Sequence, residues 1–162
     1  MIKTYGFIGT GNMGGALATA AAKALTPANV WLANRTHAKA EALAEKLGAM
    51  AVFKETIAER CEFIFLGVKP QMMADMLGEI APVLKKRESR FILVSMAAGL
   101  TIERIREMAG GDYPVIRIMP NTPSSIGEGM ILYTCSSDIT KPEEKVFLEA
   151  MSGAGRLSAL PE

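Results

Sequence analysis

The sequence has few of the residues on which metal, redox and histidine-based chemistry depend. It holds one histidine, His37, and two cysteines, Cys61 and Cys135, which lie far apart and form no CxxC pair. A metal site, a histidine-based catalytic triad and a disulfide framework are therefore not expected. The two thiols are expected to be buried in a protein of a reducing compartment.

The sequence also lacks an excess of charge and any long apolar run. The formal net charge is +1 at pH 7, which gives no electrostatic reason to expect nucleic acid as a partner. No apolar run reaches membrane-spanning length, and the first strand pattern begins at Tyr5, too early for a signal peptide. We therefore expect a cytoplasmic protein with neither a nucleic acid nor a membrane as partner.

The sequence does contain a regular alternation of strand-like and helix-like segments, with 49% hydrophobic residues to form a core. Short apolar runs predict strands at residues 5–8, 30–33, 50–53, 63–66, 91–94, 115–118 and 130–134. Helical spacing predicts helices at residues 12–25, 38–47, 55–60, 71–80, 102–108 and 142–151. This order predicts an α/β fold, a doubly wound, mostly parallel sheet with helices on both faces, in one domain over residues 1–162.

A glycine-rich loop joins the first predicted strand to the first predicted helix, with the sequence Gly9-Thr10-Gly11-Asn12-Met13-Gly14. Gly9 would permit the tight turn, Gly11 would let a pyrophosphate approach the backbone, and Gly14 would let the helix pack close to the sheet. The N–H groups at the start of the helix would receive the phosphate charge. Glycine-rich turns are common, but the flanking strand and helix favour a Rossmann-type dinucleotide site.

The residues after the second predicted strand indicate which dinucleotide binds. NAD sites usually place an acidic residue there to accept hydrogen bonds from the ribose, whereas this sequence has Asn34, Arg35 and Thr36. Arg35 can pair with a 2′-phosphate, and its two neighbours can donate hydrogen bonds to it. These residues predict NADP(H), with NAD(H) as a weaker alternative, although Arg35 could be only a solvated charge. His37 could lie near the same phosphate or be exposed, and exposure is the favoured expectation.

Three more loops follow predicted strands, at the edge where ligands bind in open parallel sheets. In residues 67–70, Lys69 is interpreted as a contact to the cofactor rather than as a base that transfers a proton. The small side chains of residues 96–98 suit either a backbone close to a flat ring or close packing of helix on strand. Asn121 and Thr122 lie between two prolines, in a loop that could hold substrate or be only a stiff connection.

Together these motifs resemble the N-terminal part of the pyrroline-5-carboxylate reductases, over essentially the whole chain. The resemblance is carried by Phe7-Ile8-Gly9-Thr10-Gly11-Asn12-Met13-Gly14, Val68-Lys69-Pro70, Ser95-Met96-Ala97-Ala98-Gly99-Leu100-Thr101-Ile102 and Arg117-Ile118-Met119-Pro120-Asn121-Thr122-Pro123. The last two motifs are fairly specific, and the glycine motif is not. The resemblance implies NADPH-dependent reduction of the small molecule 1-pyrroline-5-carboxylate to L-proline, in proline biosynthesis.

The resemblance also implies which residues line the cofactor site. They are Ile8, Gly9, Thr10, Gly11, Asn12, Met13, Gly14, Asn34, Arg35, Thr36, Gly67, Val68, Lys69, Pro70, Met96, Ala97 and Ala98. Asn121 and Thr122 would lie towards the substrate. Some members of the family contact the cofactor through an asparagine just after the third strand. Phe53 stands at that position here, so this contact is not expected.

The family continues into an all-helical domain that binds the substrate carboxylate and forms the dimer, and its Ser-Gly-Ser-Gly-Pro type loop does not occur in this sequence. We therefore expect this chain to supply the cofactor-binding half and to be inactive alone, and we assign no catalytic residue within it. Two alternatives stay open: a stand-alone NADPH-binding module, and the cofactor domain of a hydroxyacid or phosphogluconate-type dehydrogenase. The full-length family is homo-oligomeric, and the oligomeric state of this chain also stays open.

Overall fold

The computed structural model of the chain describes residues 3–119 and 130–160. The strands in these ranges are β1 (Tyr5–Ile8), β2 (Val30–Ala33), β3 (Met50–Ala51), β4 (Phe63–Leu66), β5 (Ile92–Ser95), β6 (Val115–Met119), β7 (Met130–Cys135) and β8 (Arg156–Ala159). The helices are α1 (Asn12–Ala24), α2 (His37–Leu47), α3 (Lys54–Arg60), α4 (Pro70–Lys86), α5 (Ile102–Ala109) and α6 (Lys141–Ala150).

All the described strands form one sheet, in the order β3-β2-β1-β4-β5-β6-β7-β8. Neighbours from β3 to β6 are parallel, whereas β7 is antiparallel to β6 and β8 is parallel to β7. The predicted doubly wound, mostly parallel α/β fold is therefore confirmed. The strand order reverses direction at β1, between β2 and β4, which is where sheets of this kind bind their ligands.

Helices cover both faces of the sheet, and each face has its own core. On one face α1, α2 and α6 pack against Phe7 and Phe65, whose stacked rings are 4.2 Å apart. On the other face α3, α4 and α5 pack against strand residues such as Ile64 and Leu66. Because the central strands are buried on both faces, they appear in the sequence as continuous apolar runs.

Helix α4 extends further than predicted, to Lys86 instead of residue 80. Its Pro82 is exposed, and the helix continues past it because Leu84 is buried in the core against the sheet. Proline is a helix-breaking signal in a sequence, but the packing of the next turn overrides that preference here. The predicted start of α5 is confirmed, since the Thr101 hydroxyl accepts a hydrogen bond from the Arg104 N–H at 3.1 Å.

The two cysteines differ in their surroundings. Cys61 is fully buried, and burial raises the pKa of its thiol to about 12. The expectation of two buried thiols is wrong for Cys135, which is only half-buried because β7 lies towards the end of the sheet. Within residues 3–119 and 130–160, no helix has the length and apolar character needed to cross a bilayer. The same residues contain no group of three His, Cys, Asp or Glu side chains suited to a metal ion.

Candidate functional site

The glycine loop between β1 and α1 packs tightly against the end of β4. Gly9 has a positive φ of 96°, and its N–H donates a 2.9 Å hydrogen bond to the Ala33 carbonyl at the end of β2. A Cβ atom at Gly14 or at Gly67 would overlap the Gly9 carbonyl oxygen. Glycine at these three positions is therefore required by the protein's own backbone packing.

Gly11 is different, because nothing in the described structure requires a glycine there. Its φ of −70° is open to any residue, and a Cβ atom would have no protein atom within 4 Å. Gly11 is the N-cap of α1, where no side chain caps the helix and the first turn holds no acidic residue. The first N–H groups of a helix have no acceptor within it, so this end of α1 suits an anion.

Asn34 joins the glycine loop to the start of α2. Its Oδ1 accepts a hydrogen bond from the Thr10 N–H at 3.3 Å, and its Nδ2 donates one to the Thr36 carbonyl at 3.3 Å. One Nδ2 hydrogen is left over, because the amide carries two. The Thr36 hydroxyl makes no capping hydrogen bond to α2. Asn34 therefore positions the loop, and these two hydrogen bonds leave one Nδ2 hydrogen that a ligand could accept.

A cavity of about 470 Å³ runs from the glycine loop to α3 and α4. Five of the predicted residues line it, namely Ile8, Gly9, Asn34, Arg35 and Val68. Its outer wall carries the carboxylates of Glu55, Asp75 and Glu79 and the ammonium of Lys54. The cavity thus combines an apolar floor at the strand ends with a charged rim.

The two cations that line this cavity differ in their partners. The Lys54 Nζ lies 3.2 Å from Glu55 and 3.3 Å from Glu79. Partial burial alone would lower the pKa of Lys54, but hydrogen bonds to these carboxylates raise it. Arg35 is exposed and forms no ion pair with any residue that the structure describes. Arg35 is therefore the cation available to an added anion.

The other predicted residues lie at the same edge of the sheet or outside the described ranges. Lys69 is the exposed N-cap of α4, after β4. After β5, Ala97 is buried with its N–H bonded to the Ser95 hydroxyl at 3.3 Å, while Ala98 is exposed. Gly67, Val68 and Met96 are half-buried, Pro70 is exposed, and Asn121 and Thr122 lie outside the described residues.

Two aromatic residues in the cavity wall, His37 and Phe53, were not among the predicted cofactor-binding residues. His37 stacks on Phe53, with ring centroids 4.5 Å apart and planes at 16°. Of the two alternatives for His37, exposure does not hold fully, because its side chain is half-buried, with 34% accessible, and it lines the same cavity as Arg35. The two residues belong to different helix starts, so no local spacing in the sequence could bring them together.

Comparison with known proteins places this chain in a known family. Residues 4–99 match the family model described as "NADP oxidoreductase coenzyme F420-dependent". The pyrroline-5-carboxylate reductase of Escherichia coli is 35% identical over 147 residues, which cover 89% of this chain and 53% of that protein. The chain spans about half the length of the curated relatives it matches.

Solved structures show the same likeness. A pyrroline-5-carboxylate reductase from Coxiella burnetii matches with a TM-score of 0.88 and 25% identity, over 99% of this chain and 59% of that one. The Plasmodium falciparum pyrroline carboxylate reductase, solved with NADP bound, matches with a TM-score of 0.80 and 26% identity, over 98% of this chain and 57% of that one. The predicted resemblance to these reductases is confirmed.

Proposed function

Because the chain belongs to the family described as NADP oxidoreductase, coenzyme F420-dependent, we propose that it is the cofactor-binding part of an NADPH-dependent reductase. The reaction we propose for the whole protein is reduction of 1-pyrroline-5-carboxylate to L-proline. The relatives named above support this substrate, since they are pyrroline-5-carboxylate reductases of both similar sequence and similar fold. The cofactor, when bound, supplies the hydride.

The single observation that carries the proposal is the contrast within the glycine loop. Gly9 and Gly14 are needed for packing, whereas Gly11 faces open space at the uncapped start of a helix. A Cβ atom there would fill the space through which a pyrophosphate reaches the helix N–H groups. We therefore assign the pyrophosphate to the backbone of residues 8–14, and this loop fits the proposed cofactor.

We assign the 2′-phosphate to Arg35, with Asn34 and Thr36 as further hydrogen-bond donors. This choice is supported because Arg35 forms no ion pair with the described part of the chain, whereas Lys54 is already held by two carboxylates. The residues after β4 and β5, which are Gly67, Val68, Lys69, Pro70, Met96, Ala97 and Ala98, are proposed to hold the ribose and the nicotinamide. Asn121 and Thr122 are proposed for the substrate side. The protein's part in the reaction is then to orient the ring and to exclude water.

A titration of both cofactors tests the 2′-phosphate assignment. We expect NADPH to bind more tightly than NADH, and Arg35→Ala to weaken NADPH by about 10- to 150-fold, as loss of a charge-assisted hydrogen bond would. Binding of NADH should hardly change. Lys39→Ala is the matched control, because Lys39 is an exposed cation on α2 that does not line the cavity. Equal affinities of the unmodified chain for NADPH and NADH would refute the assignment.

An activity assay tests the reductase proposal itself. We propose that residues 1–162 form one dinucleotide-binding domain and that turnover needs the helical domain of the longer relatives. This chain should bind NADPH but oxidise it slowly in the presence of 1-pyrroline-5-carboxylate. Rapid turnover by the chain alone would contradict the need for a second domain. A longer protein that carries this domain and reduces a keto acid instead would favour the dehydrogenase alternative.

Location and assembly are also proposals. We propose a cytoplasmic protein, which fits the two unpaired cysteines in the described structure. The whole reductase is proposed to be a homo-oligomer that acts on a small molecule, without nucleic acid or membrane. Size-exclusion chromatography of this chain and of a longer protein would test the assembly, since only the longer one is expected to dimerise.

A further inference from the structure

The stacked pair of Phe53 and His37 is unusual for its position. Phe53 is 61% exposed, although it is a large apolar side chain, and it packs into neither of the two cores. It is the N-cap residue of α3 and gives no side-chain hydrogen bond to that helix. Neither core packing nor helix capping therefore explains an aromatic ring at this place.

The pair also carries a cost. The Nδ1 atom of His37 is buried and has no hydrogen-bond partner, and it is the one such side-chain atom among residues 3–119 and 130–160. A buried polar atom without a partner destabilises the folded state. The Glu41 carboxylate lies 4.0 Å from the other ring nitrogen, Nε2, and so does not pair with Nδ1. The two rings therefore stack at the cavity wall even though the unpaired Nδ1 atom of His37 lowers the stability of the folded state.

We propose that Phe53, supported from behind by His37, is the platform on which the adenine ring of the cofactor stacks. This inference rests on the proposed NADPH function. Both rings line the same cavity as Gly9, Asn34 and Arg35, next to the residue we assign to the 2′-phosphate. One face of Phe53 is covered by His37 at 4.5 Å, and the high exposure of Phe53 leaves its other face free for a flat ligand.

The platform determines how the base is recognised. A phenyl ring offers only its face, and stacking tolerates different bases because every base has a π-face. The site should therefore accept a cofactor whose adenine is replaced by hypoxanthine about as well as NADPH itself.

Binding of 2′,5′-ADP, which carries the adenine and the 2′-phosphate but no nicotinamide, measures the platform directly by calorimetry. Phe53→Ala should weaken it by about 5- to 150-fold, the range found when a stacking aromatic is removed. Phe53→Tyr keeps the flat ring and should bind normally, whereas Phe53→Leu keeps apolar bulk only and should bind weakly. Reduced nicotinamide mononucleotide, which lacks adenine, should bind all four proteins alike.

The outcomes separate this inference from the function on which it rests. Normal binding of 2′,5′-ADP by Phe53→Ala would overturn the platform. If Arg35→Ala still weakened NADPH binding in that case, the proposed function would remain supported. A large loss of affinity for the hypoxanthine cofactor would also overturn it, because the base edge would then be read, with Asp75 as a nearby acceptor. Failure of the unmodified chain to bind NADPH or 2′,5′-ADP would overturn both. Phe53 is exposed, so thermal unfolding of each variant should match that of the unmodified chain.

Discussion

Gly14→Ala tests the packing account of the glycine loop. The new Cβ atom would overlap the carbonyl oxygen of Gly9, which is backbone and cannot swing aside as a side chain could. Helix α1 would have to move away from the sheet, although Leu17 and Ala18 on this helix are fully buried. Overpacking of this kind costs about 1–3 kcal/mol. For a domain of this size, each kcal/mol lowers the unfolding temperature by about 2–4 °C, so we expect a loss of about 2–12 °C.

Gly11→Ala is the matched control in the same loop. Its Cβ atom would meet no protein atom within 4 Å, and its φ of −70° suits alanine. Loss of a glycine reduces the conformational freedom of the unfolded chain, which stabilises the protein, whereas alanine is a poorer N-cap residue than glycine. Because these two effects oppose each other, the free energy of unfolding should change by about 1 kcal/mol or less. Thermal unfolding followed by circular dichroism compares the two variants. Equal unfolding temperatures for Gly14→Ala and the unmodified chain would refute the packing argument.

Two further predictions concern stability away from the site. Thr140→Ala removes the hydrogen bond from the Glu143 N–H to the Thr140 hydroxyl, 3.2 Å long, and should lower the free energy of urea unfolding by about 1 kcal/mol, with Thr140→Ser largely restoring it. Burial raises the pKa of the Cys61 thiol from 9.0 to about 12, so the unfolded chain loses this proton first and stability should fall as pH rises from 9.0 towards 12. Cys61→Ala should reduce that slope, and an unchanged slope would contradict the assignment.

The sequence predicted the central sheet well because its strands are buried on both faces. β1, β2 and β4 occur where the apolar runs stand, with the predicted bounds. β8 was missed, since Arg156–Ala159 is only four residues long, is only partly buried and has no continuous apolar run. Its strand form depends on pairing with β7, with Arg156 opposite Met130. That pairing is a tertiary contact that local sequence does not encode.

Part of the candidate site could be predicted from the local sequence, and the rest depends on tertiary contacts. The glycine loop and Asn34-Arg35 follow strands, so their convergence at one edge could be predicted from a parallel sheet. The stack of Phe53 on His37 joins the starts of α2 and α3, and its geometry depends on how the two helices are placed. Lys54 forms ion pairs with Glu55 in its own helix and with Glu79 on α4. Because the second pair depends on how α3 and α4 pack, the sequence could not show that Lys54 is paired while Arg35 is available to bind an anion.

Calorimetric titration of NADPH into the unmodified chain and into Gly11→Ala tests the central claim most directly. We predict that the unmodified chain binds NADPH and that Gly11→Ala loses most of this affinity, because the added Cβ atom obstructs the pyrophosphate at the start of α1. Its unfolding temperature should stay close to that of the unmodified chain, which would exclude misfolding as the cause. Equal NADPH affinity in the two proteins, or no binding by either, would contradict the account.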